Sequence, residues 1–224
     1  MGYYLDLKSI SIDKYREVLK TADLIPSWKV LEDDIDKNIE ILKNHNIKNL
    51  DELLIALKDK DKVHDFSKQS GLPENYLNVH RRMVSGYRQK PNRIKDFSCI
   101  EEDIVHKLEK IGIKNTFKLY EKILTKERRN ELSGKTGISM NEITKITKLT
   151  DLSRIRWVNH TFAYVLLEAG YDTAEKVANA DPQELYETVK QLNKEREIYN
   201  AHIGVRDMKM CIEFAKELDF EIKY

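Results

Sequence analysis

Chain breakers are scarce in this sequence: 224 residues carry only four prolines and eight glycines. A many-turned β fold needs such residues at nearly every corner, so their scarcity favours helices. Cysteine is scarcer still. Cys99 and Cys211 make neither a C-x-x-C pair nor a ligand cluster; a disulfide framework is excluded, and both read as small buried hydrophobes of a reducing compartment. An excess of one charge sign is also missing, with 39 Lys and Arg against 38 Asp and Glu. No global field collects nucleic acid or anionic lipid, and any such role needs a local patch. No apolar run approaches membrane-spanning length. The start MGYYLDLKSIS lacks the basic and apolar regions of a secretory signal, and Asp6 stands where an acylation signal wants Ser or Thr. A cytoplasmic protein without membrane contact is expected.

The usual signatures of catalysis are missing as well. There is no Gly-rich phosphate loop, nucleophile elbow or dinucleotide fingerprint. The six histidines, His45, His64, His80, His106, His160 and His202, are scattered without ligand spacing and read as surface or capping residues. Carboxylates such as Asp33, Asp34 and Asp36 cluster only as solvated helix faces do. A non-enzymatic protein with no metal and no cofactor follows as the expectation.

What the sequence does contain is self-similarity. LKNHNIKNLDELL from Leu42, LEKIGIKNTFKLY from Leu108 and LLEAGYDTAEKVA from Leu166 line up. So do SGLPENYLNVHRRM from Ser70, TGISMNEITKITKL from Thr136 and IGVRDMKMCIEFAK from Ile203. Asn46 and Gly112 lie 66 residues apart, and so do Gly71 and Gly137. Each copy predicts four helical segments. Asn46, Gly112 and Gly170 are of the type that ends a helix in the left-handed conformation, and Asn49, Asn115 and Thr173 cap the next helix. Reciprocal caps are expected at Asn49 with Glu52, Ser98 with Glu101 and Ser139 with Glu142. Leu50, Leu53, Leu54 and Leu57 form a core-facing stripe. Gly112 to Gly137 spans 25 positions and Gly170 to Gly204 spans 34, an insertion of nine in the third copy. Asp181 and Pro182 start a helix there, which the insertion lengthens or adds.

The expected class is all-α, with three tandem helix-hairpin-helix-like copies of SAM-like architecture. The domain bounds are an N-terminal cap over 1–28, a first copy over 29–90, a second over 91–150 and a third over 151–224. The N-terminal cap carries a short helix over 12–20. Residues 85–95, with Gly86 and Pro91, form the linker between the first two copies.

The third copy, DLSRIRWVNHTFAYVLLEAGYDTAEKVANADPQEL, resembles an uncharacterised bacterial and archaeal family with a helix-hairpin-helix-like core, known only as domain of unknown function number 4332. The resemblance covers residues 30–218 and is strongest over 136–185. Its wider relatives include the tandem hairpins of DNA ligases, topoisomerases and repair polymerases, which implies a nucleic-acid-binding role. In such hairpins a Gly-aliphatic-Gly turn offers backbone N–H groups to a phosphate. The aliphatic position here is Val158 in the third copy and Ile100 in the second, while the first has Asp34. Flanking residues Trp157, Asn159, Cys99, Glu101, Asp33 and Ile35 include no glycine. Glu32, Asp33 and Asp34 around one hairpin, and Glu101, Glu102 and Asp103 around another, oppose a phosphate.

The candidate contact residues are therefore Arg154, Arg156, Trp157, Asn159 and His160 of the third hairpin. A second set is the basic stretch with Arg81, Arg82, Arg88, Lys90, Arg93 and Lys95, where Tyr87 could stack a base. Competing with this are a solvated linker whose charges pair locally, and Trp157 packing between copies with its arginines held by carboxylates. Two partners stay open: DNA or RNA, bound through its backbone without sequence readout, or another protein, on a scaffold with degenerate hairpins.

Overall fold

The computed structural model describes residues 2–224. Among them are thirteen α-helices and three short 3-10 segments, with no strand beyond two isolated bridges. The all-α class is thus observed. No helix among the described residues is long and apolar enough to cross a membrane.

The chain forms two compact units. One is Asp6–Gln89 and holds α1 (Ile12–Thr21), α2 (Ile35–Asn44), α3 (Leu50–Ala56), α4 (Lys60–Ser70) and α5 (Glu74–Ser85). The other is Lys90–Tyr224 together with the N-terminal residues up to Leu5. It holds α6 (Glu102–Lys110), α7 (Thr116–Tyr120), α8 (Lys126–Thr136), α9 (Met140–Leu152), α10 (His160–Glu168), α11 (Ala174–Ala178), α12 (Pro182–Arg196) and α13 (Val205–Lys216). The division falls inside the 85–95 linker. Residues 1–28 make no unit of their own, because Ile12, Tyr15 and Leu19 of α1 are buried in the Asp6–Gln89 unit.

Backbone chemistry explains why the aligned segments fold alike. Asn46, Gly112 and Gly170 all lie at positive φ, 63°, 82° and 86°. At each, the following N–H reaches back to a carbonyl five residues earlier: Ile47 to Leu42, Ile113 to Leu108, Tyr171 to Leu166, at 3.0–3.1 Å. This left-handed ending satisfies carbonyls that a helix terminus would leave bare. The caps follow as expected, with Asn49, Asn115 and Thr173 accepting from the N–H groups of Glu52, Lys118 and Lys176. Ser139 likewise accepts from Glu142 N–H. Neither of these two expected boxes is reciprocal, however: the Glu52 carboxylate accepts from Lys48 N–H instead of Asn49 N–H, and at Ser139 only the forward bond forms. The expected Ser98–Glu101 box is corrected: α6 begins three residues later, its cap position is Glu101, and no side chain bonds there.

A second ending recurs in α4 and α8. Gly71 and Gly137 sit at φ 74° and 67°, and the Ser67 and Ser133 hydroxyls donate to the carbonyls of Leu72 and Ile138. The counterpart in α12 is Glu197 at φ 49°, whose N–H bonds the Asn193 carbonyl. Gly204, aligned with Gly71 and Gly137 from sequence, is instead the N-cap of α13 with φ −123°. The extra residues therefore divide between a longer helix, fifteen residues in α12 against eleven in α8, and a longer loop. That loop, 197–204, replaces the two-residue step from Gly137 to the Ser139 cap. Asp181 does start the helix, accepting from both Gln183 and Glu184 N–H at 2.9 Å.

A single apolar core runs through the Lys90–Tyr224 unit, from Ile94 and Leu108 through Leu149, Ile155 and Leu166 to Met208 and Ile222. Val158, in the turn between α9 and α10, is buried in it. This core is what fixes the backbone on either side of residue 157.

Candidate functional site

The hairpin between α9 and α10 turns at Trp157, which adopts φ 67°. A bulky residue in the left-handed region costs about 1–2 kcal/mol relative to glycine, since its Cβ crowds the following carbonyl. The turn keeps the backbone shape that glycine would supply, and places a large side chain there. Val158 on one side is buried, so Trp157 faces outward and is 44% exposed. Strain of this kind concentrates where a site needs a side chain displayed.

Its two neighbouring arginines go the other way. Arg154 is interior, with 1% of its side chain exposed. Its Nη1 donates to Asp151 Oδ1 at 3.1 Å, Nη2 to the Asp219 carbonyl at 2.8 Å and Nε to the Tyr3 carbonyl at 3.4 Å. The guanidinium also lies 4.8 Å from the Tyr120 ring centroid. Asp151 in turn caps α11, accepting from Ala174 N–H at 2.9 Å, and receives the Tyr224 hydroxyl. In α3 and α7 the corresponding first N–H groups, Leu50 and Thr116, bond the carbonyls of Ile10 and Asn92. A carboxylate stands in for a backbone carbonyl at α11, and Arg154 balances its charge.

Arg156 is buried too, at 5% exposure. Its guanidinium sits 5.2 Å from the Trp157 ring centroid and 4.7 Å from that of Phe214 on α13, a delocalised cation over two aromatic faces. Trp157 and Phe214 meet edge to face at 5.0 Å.

Asn159 and His160 serve the start of α10. Asn159 Oδ1 accepts from Phe162 N–H at 2.9 Å, which makes it the N-cap. His160 is half-buried, its ring 6.3 Å from Phe97. Of the five third-hairpin candidates, Trp157 and Asn159 are exposed, and Asn159 is already turned to its own backbone.

The basic stretch is divided between the two units. Arg81, Arg82 and Arg88 belong to Asp6–Gln89, and Lys90, Arg93 and Lys95 to the other. Arg81 is half-buried and Arg82 exposed on α5. Arg88 Nη2 pairs with Asp51 at 2.8 Å, and Arg93 Nε with Asp96 at 3.0 Å. Tyr87 is buried and is not a platform for a base.

A pocket of about 560 Å³ opens beside Trp157. Its walls are the hairpin, the start of α10, the 197–204 loop and the inner face of α13, with Phe162, Tyr199, Ile203, Met208 and Phe214 supplying apolar surface and Arg156 a cation. Sequence reasoning located the insertion without seeing that its loop closes a pocket. The signal was the run IYNAHI after α12, apolar residues in a segment otherwise made of charged ones. Cys211 is part of the wall; burial pushes its thiol up to about 12, so at neutral pH it is a protonated apolar group. The expected surface role of the histidines also needs correction at His80, which is fully buried with its Nδ1 2.9 Å from the Tyr15 hydroxyl. It lies on the inner face of α5, where Val79 and Met83 are also buried.

Among proteins of known sequence families, the model described as "Domain of unknown function (DUF4332)" matches residues 98–218, more than half of the chain. No curated protein and no solved structure matches. The matched segment runs from just before α6 to the residues after α13 and includes the whole of the hairpin and pocket.

Proposed function

We propose that this chain, which belongs to the DUF4332 family, is a non-enzymatic binding protein whose third hairpin contacts another protein. The scaffold reads as three helix-hairpin-helix-like copies. Support comes from the shared left-handed endings at Asn46, Gly112 and Gly170 and the side-chain caps three residues after each. The third copy is the binding copy, because it alone combines the insertion loop with an aromatic turn.

One observation carries the choice of partner: at this hairpin the arginines are inside and the tryptophan is outside. Gripping a phosphate backbone takes exposed cations that release counterions, and Arg154 and Arg156 are spent on the protein's own interior. An outward Trp backed by apolar surface is the composition of a protein-interaction hot spot. The nucleic-acid reading keeps one favourable observation, the exposed Arg82, Lys90 and Lys95.

A titration of the full chain with duplex, single-stranded and branched DNA at low salt separates the two. The expected result is no saturable binding at about 50 mM salt. Binding whose log affinity falls steeply with log salt, and which Arg82→Glu with Lys95→Glu weakens at least tenfold, would reverse the choice.

A further inference from the structure

The loop that closes the pocket beside Trp157 is pinned at three points. Glu197 ends α12 in the left-handed conformation, and its N–H bonds the Asn193 carbonyl. The Asn193 side chain then holds Tyr199 by both backbone groups. Its Nδ2 donates to the Tyr199 carbonyl and its Oδ1 accepts from the Tyr199 N–H, each at 2.9 Å. At the far end of the 197–204 loop, Asp207 Oδ2 accepts from the Gly204 N–H at 2.8 Å. The loop is fixed at its start, middle and end, so the space beside it is preformed, as small-molecule sites usually are. Its volume, about 560 Å³, falls within the range of such sites, roughly 300–1,000 Å³.

The lining decides what such a space accepts. Four aromatic side chains line it, Trp157, Phe162, Tyr199 and Phe214. Met208, Met210 and Cys211 of α13 add three sulfur atoms. Rings pair favourably with other rings, edge to face or offset, and thioether sulfur makes a favourable contact with an aromatic ring. An aromatic guest gains both kinds of contact, and a saturated guest of the same size gains neither. The lining also disfavours charge. Among the described residues, two with a fixed charge line the pocket, Arg156 and Asp207. Arg156 is buried against the rings of Trp157 and Phe214 and has partners within the protein, while Asp207 serves the start of α13. A charged guest would give up its hydration for two charges already engaged.

We propose that the pocket binds a small uncharged aromatic molecule of about two fused rings, its rings against Phe162, Tyr199 and the sulfur-bearing face of α13. A dry cavity of about 150 Å³ takes one benzene ring, so about 560 Å³ has room for the larger guest. The site exists because of the insertion: the 197–204 loop forms one wall, and the two-residue step after Gly137 leaves no counterpart. The inference goes beyond the protein-contact reading and does not rest on it, since a ligand inside the pocket and a protein on its rim are separate events.

The test uses the full chain labelled with ¹³C at the methionine methyls. It is titrated at pH 7 with three compounds of one skeleton: 1-naphthol, decahydro-1-naphthol and 1-naphthoate. Met208 and Met210 line the pocket, whereas Met83 and Met140 do not. The expected result is saturable 1-naphthol shifts at Met208 and Met210, with Met83 and Met140 unmoved. Competition should show the other two compounds binding at least fivefold more weakly. A smaller difference from decahydro-1-naphthol overturns the aromatic class, and a smaller difference from 1-naphthoate overturns the exclusion of charge. Absence of saturation up to millimolar 1-naphthol, or saturable shifts at Met83 or Met140 instead, overturns the site. Phe162→Leu keeps apolar surface while removing one ring, and should at least halve the preference for 1-naphthol over decahydro-1-naphthol. An unchanged preference would overturn the contact with Phe162; the compound series, run on the unaltered protein, decides the rest if that variant fails to fold. No partner protein is present in these titrations, so their failure leaves the Trp157 contact reading standing.

Discussion

Asp151→Ala is expected to lower the stability of the Lys90–Tyr224 unit by about 3–5 kcal/mol, as does breaking a buried ion pair from one side. Three groups lose their acceptor at once. Arg154 keeps its charge in the interior with carbonyl oxygens alone, Ala174 N–H loses its bond at the start of α11, and the Tyr224 hydroxyl loses its acceptor. A total stability of about 5–15 kcal/mol for a domain makes this a large fraction. Asp151→Asn keeps an acceptor while removing the charge and should fall between the two. Urea unfolding followed by circular dichroism measures both; a loss under 1 kcal/mol for the alanine variant would show that the network contributes little. The same reasoning changes what Arg154→Glu means. A weakened binding signal in that variant would report unfolding, since the side chain touches no solvent from which a partner could approach.

The second large effect is acid sensitivity of the Asp6–Gln89 unit through His80. Burial pushes the imidazole from its usual 6.5 down to about 3, and its Nε2 has no hydrogen-bond partner that would reward protonation. The folded state therefore keeps His80 neutral where the unfolded chain takes up a proton. Stability from this group is fully present above pH 6.5 and is lost as pH falls below it, because the unfolded state binds the extra proton. At 1.36 kcal/mol per unit, the loss between pH 6.5 and pH 4 is about 3 kcal/mol. His80→Asn keeps a polar amide near the position of Nδ1, able to donate to or accept from the Tyr15 hydroxyl, and removes the titration. Its unfolding free energy, measured from pH 7 to pH 4, should fall by about 3 kcal/mol less than that of the parent. Parallel curves would show that His80 is protonated in the fold.

Much of the fold was legible because helix ends are local. Asn46, Gly112 and Gly170 sit where the chain must turn left-handed, and the Asn or Thr three residues on bonds a backbone N–H within its own helix. Such features need no knowledge of distant residues. Gly204 was misplaced because glycine serves two purposes, and here the left-handed position had passed to Glu197, which sequence preference disfavours.

The site was legible in place and not in chemistry. The cluster Arg154, Arg156 and Trp157 is where the hairpin and pocket lie, but sequence shows residue types and not directions. Which side of the chain each faces depends on Val158 entering the core and on Asp151, Tyr120 and Phe214 receiving the two guanidinium groups, contacts that include partners up to 58 positions away along the chain. His80 was unreadable for the same reason: its burial is decided by Tyr15, far off in sequence.

The central claim is that Trp157 faces a protein partner, and site-specific photo-crosslinking tests it most directly. Benzoylphenylalanine placed at position 157 of the full chain, irradiated in cells that express it, should trap a discrete adduct that resists nuclease and is destroyed by protease. The same probe at Arg82 should not give that adduct. A nuclease-sensitive adduct at position 157, or no adduct there while position 82 crosslinks to nucleic acid, would contradict the account.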